Sequence, residues 1–452
     1  MCIRDRYNSR FGQNIQTGLF SKVLMGVYDV QNTYLNVLGI YTNTTQVDAY
    51  RGAGRPEAIY LLERMMDRAA RELKIDPLEL RRINFIKKDS FPYRSSTGEM
   101  IDVGDFDRVL TTAEISADIK GFEQRKKESE AKGRLRGLGL CYYIESILGD
   151  PSEEAKVVFE EDGGVKIFVG TQSNGQGHET VFAQFLSDQT GIPTEKIIVV
   201  QGDSDLIPRG GGTGGSRSVT VQNNATLATV EKIIQSFSQY LSEKLEVDVE
   251  DIGFDDTSFR IKGSNYSPNA LEVAKMAYED NRFDLLKHSA KATLDARSFP
   301  NGAHFAEVEV DPETGFVQVV KYCVVDDFGN LINPMLAEGQ VHGGVAQGIG
   351  QALYENVVYD QEGQLLTATF MDYGIPRAQD LPYYKFETEC VPSTANIMGM
   401  KGCGEAGTVG ALAAVANAVQ DALWGFGIQQ VDMPFTSEKI WSIITSGKLA
   451  AE

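Results

Sequence analysis

The chain has little of what a protein-ligated metal centre or a disulfide scaffold needs. Its five cysteines, Cys2, Cys141, Cys323, Cys390 and Cys403, are odd in number and scattered over 452 residues. They offer no disulfide framework and suit a reducing, cytoplasmic compartment. The four histidines, His178, His288, His304 and His342, are equally dispersed, and neither CxxC nor HExxH occurs. That excludes the usual protein-ligated zinc and iron–sulfur patterns, so a metal would have to arrive on a cofactor. Basic charge is also short: 43 Lys+Arg against 63 Asp+Glu give a formal net charge of −20. A nucleic-acid partner is excluded on that count, because phosphate binding needs a basic surface, and small molecules or proteins are favoured. No apolar stretch is long enough to span a bilayer, and the start MCIRDRYNSR lacks the apolar core of a secretory signal. Nucleotide signatures are missing too, with no GxxxxGK followed by Ser or Thr and no GxGxxG opening a βαβ unit.

What is present is an ordinary globular balance, 42% hydrophobic and 23% charged, long enough for two or three domains. Ile59, Leu62, Met66, Ala69 and Leu73 recur at helical spacing behind Pro56, and Asp76-Pro77 opens a short helix to about Asn84. The charged segment from Lys120 to Arg136 reads as a boundary. Beyond it, AKVVFEE and VKIFVG flank Asp162-Gly163-Gly164 as a hairpin, FAEVEV and VQVVKYCVV flank DPETG as a second, and DQEG at Asp360–Gly363 marks a third. Helical runs alternate with them at about 179–190, 219–245, 268–278, 334–354 and 408–423. The class is therefore α+β with mixed sheets. The chain opens on material that reads like the middle of a domain, without a first strand or helix cap, as if Met1 were not the natural start.

Three glycine-rich elements suggest a large ligand. GTQSNGQGHET, Gly170–Thr180, runs from a strand into a helix, which presents backbone N–H groups and a helix N-terminus to an anion. Gln172, Asn174, Gln176 and His178 add neutral hydrogen-bonding side chains suited to a heteroaromatic group; a steric turn is the plain alternative. GDSDLIPRGGGTGGSRS carries five glycines between Gly210 and Gly215, then Ser216, Arg217 and Ser218. So many glycines cost backbone entropy on folding, which a close approach by a ligand would explain; a flexible surface loop is the plain alternative. EGQVHGGVAQGIGQALYE holds Gly339, Gly343, Gly344, Gly348 and Gly350 with Gln340, Gln347 and Gln351; on a helix, Gly344 and Gly348 would serve tight packing. Near the end, KGCGEAGTVG sets one carboxylate, Glu405, between glycines ahead of a small-residue helix. It is either a positioned base or an acid complementing a helix N-terminus.

AYRGAGRPEA from Ala49, GTQSNGQGHE from Gly170, the GDSD to GGSRS loop and KGCGEAGTVG from Lys401 occur in one order. In these four motifs, over essentially its whole length, the chain resembles the molybdopterin-binding large subunit of the xanthine dehydrogenase, aldehyde oxidase and carbon monoxide dehydrogenase family. The resemblance implies residues 1–130 as the C-terminal part of a first molybdopterin-binding domain and 131–452 as a second. It also implies a molybdenum cofactor, as molybdopterin or its cytosine dinucleotide form, held by the pterin dithiolene with no protein ligand to the metal. Gln172, Asn174, Gly175, Gln176 and His178 would lie at the pterin and its phosphate, Gly214, Gly215 and Ser216 in a second cofactor loop, and Gln340 close to the molybdenum ligands. Glu405 would be the catalytic base for hydroxylation of an aldehyde or N-heteroaromatic substrate with water as oxygen source, its carboxyl raised above its usual range by desolvation. Arg51, Gly52 and Ala53 would orient the substrate; Arg51 alternatively holds the loop in an ion pair with Glu57. With no cysteine in that loop, a copper-type carbon monoxide dehydrogenase is disfavoured. Electrons would leave through an iron–sulfur small subunit and a FAD-binding medium subunit, in a dimer of heterotrimers. The family's first domain and its GGGFG-type loop do not occur in this sequence, so a non-catalytic binding or assembly protein, or an inactive fragment, is the competing expectation.

Overall fold

The computed structural model describes residues 2–5, 9, 11–42, 45–147 and 149–451. Met1, on which the reading of an internal start turns, lies outside them. Two four-stranded sheets carry the fold. Their strands are β1 (Leu135–Ile144), β2 (Ser152–Phe159), β3 (Val165–Val169), β4 (Ile197–Val200), β5 (Lys287–Thr293), β6 (Asn301–Val310), β7 (Val317–Asp327) and β8 (Tyr384–Thr388). The first sheet runs β8-β7-β6-β1, parallel at β7/β8 and otherwise antiparallel; the second runs β5-β2-β3-β4, parallel at β3/β4 and otherwise antiparallel. Mixed sheets with helices are what the hairpin and helix signals predict. The two hairpins β2/β3 and β6/β7 form where Asp-Gly and DPETG turns stand.

Five helices position the site: α1 (Arg55–Leu73), α2 (His178–Thr190), α3 (Ser218–Leu245), α4 (Pro334–Leu353) and α5 (Ala406–Trp424). Each lies within a residue or two of the predicted run. Helix α5 is built from Ala, Val, Gly and Leu and is buried almost all round, as expected of a helix without a polar face. It packs on β1 and β6 and beside α1 and α4, in a core that also takes in Tyr28, Ile59, Phe106, Phe305, Val345 and Ile440. The first 120 residues and the last helix, Ser437–Ala451, thus share one core with the first sheet. Helices α2 and α3 cover the second sheet around Val157, Ile167, Phe182, Ile233 and Phe237. Gly344 and Gly348 do serve helix packing: a Cβ on Gly344 would stand 2.9 Å from Gly407 Cα, and one on Gly348 2.4 Å from Ala411 Cβ.

Two expectations are corrected. The third hairpin does not form, since 354–383 is irregular apart from a short 3-10 turn and an isolated bridge joining Tyr359 to Leu365. Asp360 and Gly363 do make a turn, but the alternating flank Leu366–Phe370 buries neither end, with Leu366 and Phe370 exposed, so no core face holds it as a strand. Conversely, Cys2–Asp5 form a strand parallel to Val37–Ile40, four residues being too few to show an alternation in sequence. Within the charged segment, Phe122–Glu130 is a helix, and Arg125 and Arg136 both pair with Glu307 of β6, at 2.6 and 2.7 Å. No helix among the described residues is long and apolar enough to cross a membrane.

Candidate active site

Glu405 stands at the first turn of α5, but its side chain does not cap the helix. It turns instead onto the AYRGAGR loop and the loop before α3. Oε1 accepts the Gly52 N–H at 3.0 Å, while Oε2 accepts Arg55 Nη2 and, at 3.1 Å, Ser216 Oγ. The glycines around it have a steric purpose: a Cβ on Gly402 would sit 1.9 Å from the Ser216 carbonyl oxygen. Ser216 and Ala53 both hold positive φ, +56° and +40°, a region that side chains other than glycine enter at a cost. Strain therefore collects on the two segments that clamp the carboxylate.

Behind Glu405 lies an acid that the sequence reading missed. Glu145 follows directly on β1 and is fully buried; its Oε1 accepts Arg55 Nη1 at 2.7 Å and Ser216 Oγ at 2.6 Å. Arg55, 1% exposed, thus bridges two carboxyls and also donates to Gly52 O and Ser146 O. The signal for Glu145 was available as a lone acid ending the apolar run CYYIE. Arg55 stood inside a quoted motif but was passed over for Arg51.

The electrostatics differ from expectation. Burial pushes the Glu405 carboxyl up, but the Arg55 charge, the Gly52 amide and hydrogen bonding more than offset it, and the net shift is downward. The raised carboxyl is Glu145, pushed up to about 8 by burial and by the Glu405 charge against the pull of Arg55. The two carboxyls are thus driven in opposite directions, Glu405 down and Glu145 up.

Arg51 does not pair with Glu57. Its Nε donates to Gly404 O at 2.6 Å, Nη1 to Gln347 Oε1 at 3.0 Å, and Nη2 to Gln340 O and Oε1 at 3.0 and 2.9 Å. Four of the five guanidinium N–H bonds are thereby used among the described residues, tying α4 to the Glu405 loop. Lys401, at the start of that loop, is anchored by a buried pair with Asp327 at 2.5 Å.

These groups open on a cavity of about 400 Å³. Arg51, Asn174, Gly175, Gln176, His178, Gly214, Gly215, Ser216, Gln340 and Glu405 all line it. Gln172, Gly52 and Ala53 do not: Gln172 faces Gly202, and Gly52 and Ala53 lie behind Glu405. The sequence reading did not single out Asn330–Asn333 and Cys403, which also line the wall. Nothing lies within 4 Å of where a Cβ on Gly175 or Gly214 would stand, so both glycines leave room and bare backbone for a ligand. His178 Nδ1 is spoken for by Thr171 O at 2.8 Å, and burial lowers its imidazole below the usual range. The wall thus offers neutral hydrogen-bonding groups, open glycine backbone and a single ionised carboxylate. Among the described residues no cluster of three His, Cys, Asp or Glu could hold a metal ion.

Residues 112–382 match the sequence model of a molybdopterin cofactor-binding domain, and residues 6–85 match that of a second molybdopterin cofactor-binding domain. The chain belongs to the molybdopterin cofactor-binding family. Among its relatives is the nicotine 6-hydroxylase large subunit of Paenarthrobacter nicotinovorans, 35% identical over 435 residues, covering 92% of this chain and 53% of that one. The carbon monoxide dehydrogenase large chain of Hydrogenophaga pseudoflava is 33% identical, covering 96% and 56%. The crystal structure of quinoline 2-oxidoreductase from Pseudomonas putida 86 superposes with a TM-score of 0.89 at 32% identity, over 96% of this chain and 57% of that one. The chain spans about half the length of the curated relatives it matches. The α+β class with mixed sheets and the molybdopterin-binding character expected from the four motifs are thereby established.

The cavity fits that cofactor, because its open glycine backbone and amide side chains are groups that could hydrogen-bond a pterin and its phosphate. A large side chain in the cradle should exclude it. Gly214→Leu is expected to leave thermal stability close to wild type, since nothing packs there, and to weaken cofactor retention about tenfold or more, the cost of ~1–3 kcal/mol for forced contacts. Molybdenum-to-protein ratio and a melting curve on the same sample check both.

Proposed function

We propose that this chain is the cofactor-holding, catalytic portion of a molybdenum hydroxylase large subunit that oxidises an aldehyde or N-heteroaromatic substrate with water as the oxygen source. The observation that carries the reading is a carboxylate, Glu405, clamped on the wall of the cavity that the open glycines Gly175 and Gly214 also line. When bound, the molybdenum cofactor supplies the redox centre and the oxygen-transfer chemistry. Gly175, Gln176, Asn174, Gly214 and Gly215 would hold it by backbone and amide groups, with Ser216, His178 and Gln340 completing the wall. Glu405 takes up, at its carboxylate oxygens, the proton released as oxygen from water is added to the substrate carbon. Its charge is maintained by Arg55, the Gly52 amide and Ser216, so it is ready as a base without a prior proton loss. Arg51 offers a substrate its one remaining N–H on Nη1, and Gly52 and Ala53 help through the backbone that holds Glu405. The division at about residue 130 into two cofactor-binding portions belongs to the same proposal. So do cytoplasmic placement and assembly with an iron–sulfur small subunit and a FAD-binding medium subunit as a dimer of heterotrimers.

A copper-assisted carbon monoxide reaction is not favoured. The Arg51–Arg55 loop, where a copper-type site would need its thiol, has none. Turnover of the intact complex in isotope-labelled water should place the label in the product of an aromatic aldehyde or N-heterocycle, with carbon monoxide giving no turnover. Label from dioxygen, or robust carbon monoxide oxidation, would overturn the reading.

A further inference from the structure

The Glu145 carboxyl has an oxygen without a donor. Oε1 accepts from Arg55 and lies 2.6 Å from Ser216 Oγ, while Oε2 is buried and receives no donor among the described residues. A bare carboxylate oxygen in that position carries the full cost of desolvation. Two carboxyls share one buried cation here, and the Ser216 hydroxyl, with one proton, lies 2.6 Å from Glu145 and 3.1 Å from Glu405. Charge and hydrogen bonding both close if the pair carries a single proton on the buried member.

We propose that Glu145 is the proton-holding partner of Glu405: it retains the one proton of the pair, donates it in a hydrogen bond to Glu405, and so keeps Glu405 ionised and aimed into the cavity. Glu145 does not line the cavity; it acts through Glu405 and is a positioning residue. The groups facing it are consistent with this. Arg55 approaches from α1, Arg51 from the preceding loop, Glu405 and Cys403 from the loop before α5, Ser216 from the loop before α3, and Tyr143 from its own strand. Among the described residues Arg55 is the one cation in hydrogen-bond contact with it, and it is shared. Burial and the Glu405 charge push Glu145 up while the Arg55 charge pulls Glu405 down, the pattern of a carboxyl pair holding one proton.

The proposal builds on Glu405 as the base, but its test does not depend on turnover. Infrared difference spectra of the intact enzyme, titrated through neutral and mildly alkaline pH, should show a protonated-carboxyl band at pH 7 that disappears with a midpoint near 8. Glu145→Gln, which mimics the protonated side chain, should remove that band. It should also remove the alkaline limb of kcat/KM that follows when two facing carboxylates are both charged. Because the folded protein binds this proton more tightly than the unfolded chain, wild-type stability should fall as pH rises from about 4.5 to about 8. Glu145→Gln should flatten that slope. If Glu145→Gln does not accumulate folded, Glu145→Asp should shift the same band. No protonated carboxyl at pH 7, or a band that persists unchanged in these variants, overturns the proposal; retained turnover in Glu405→Gln would instead overturn the assignment of the base.

Discussion

Glu405→Gln should leave the fold and the molybdenum content intact while turnover falls by about 10²–10⁴, the range a positioned acid–base group contributes. The amide keeps the size of the side chain and an acceptor for the Gly52 N–H, so the loop between Gly402 and Ala406 has no cause to move. What it loses is basicity. The loss should appear in kcat as well as kcat/KM, since proton uptake matters in the transition state rather than in substrate binding. A coupled effect should accompany it. With the Glu405 charge gone, Arg55 is left to Glu145 alone, and the Glu145 carboxyl should titrate at a lower pH than in the wild type, because the Glu405 charge is part of what raises it. In wild type the acid limb of the rate should lie below the range of a free glutamate, because Arg55 and the Gly52 amide hold Glu405 ionised.

Arg55→Met should be the most damaging single change in the site. Its guanidinium is fully buried and donates to Glu145, Glu405, Gly52 O and Ser146 O. Removing one member of a buried ion pair leaves an uncompensated charge and typically costs about 3–5 kcal/mol, a large share of a domain's stability. Without that cation both carboxyls rise. Glu405 then protonates at a higher pH, so the acid limb of any residual activity should move upward. Arg55→Lys should fall between wild type and Arg55→Met, retaining charge but not the fork that serves two carboxyls and two carbonyls at once. Denaturant unfolding at neutral pH and the pH profile of the two variants check these expectations. An Arg55→Met protein with wild-type stability and an unmoved acid limb would show that the two acids are not held by Arg55.

The sequence carried the frame of this site because the frame is local. Pro56, Asp76-Pro77, the Asp-Gly and DPETG turns and the small-residue run after Glu405 are signals in which neighbouring residues dictate the backbone, and each element they predict forms. The glycine loops were legible for the same reason, and Asn174–Gln176, Gly214–Ser216 and Gln340 do converge on one cavity. What was not legible depends on contacts between distant segments. Arg51 and Arg55 stand four residues apart in one motif, and nothing local says that the first ties α4 to the Glu405 loop while the second bridges two acids. The direction of the Glu405 shift was misjudged because desolvation can be guessed from a glycine-rich, apolar context, whereas a cation 350 positions away in sequence cannot. Glu145 escaped for the same reason: its partners lie 90 and 71 residues away.

The cavity lined by Gly175, Gly214 and Glu405 is expected to hold a molybdenum cofactor. The most direct test is the molybdenum and pterin content of the natural protein, purified from molybdenum-replete cells with whatever subunits accompany it, beside the Gly214→Leu protein prepared in the same way. Stoichiometric molybdenum and pterin in the wild type and a sharp loss of both in a stably folded Gly214→Leu are the expected results; a folded wild-type complex without molybdenum, or a Gly214→Leu protein that keeps its full complement, would contradict it.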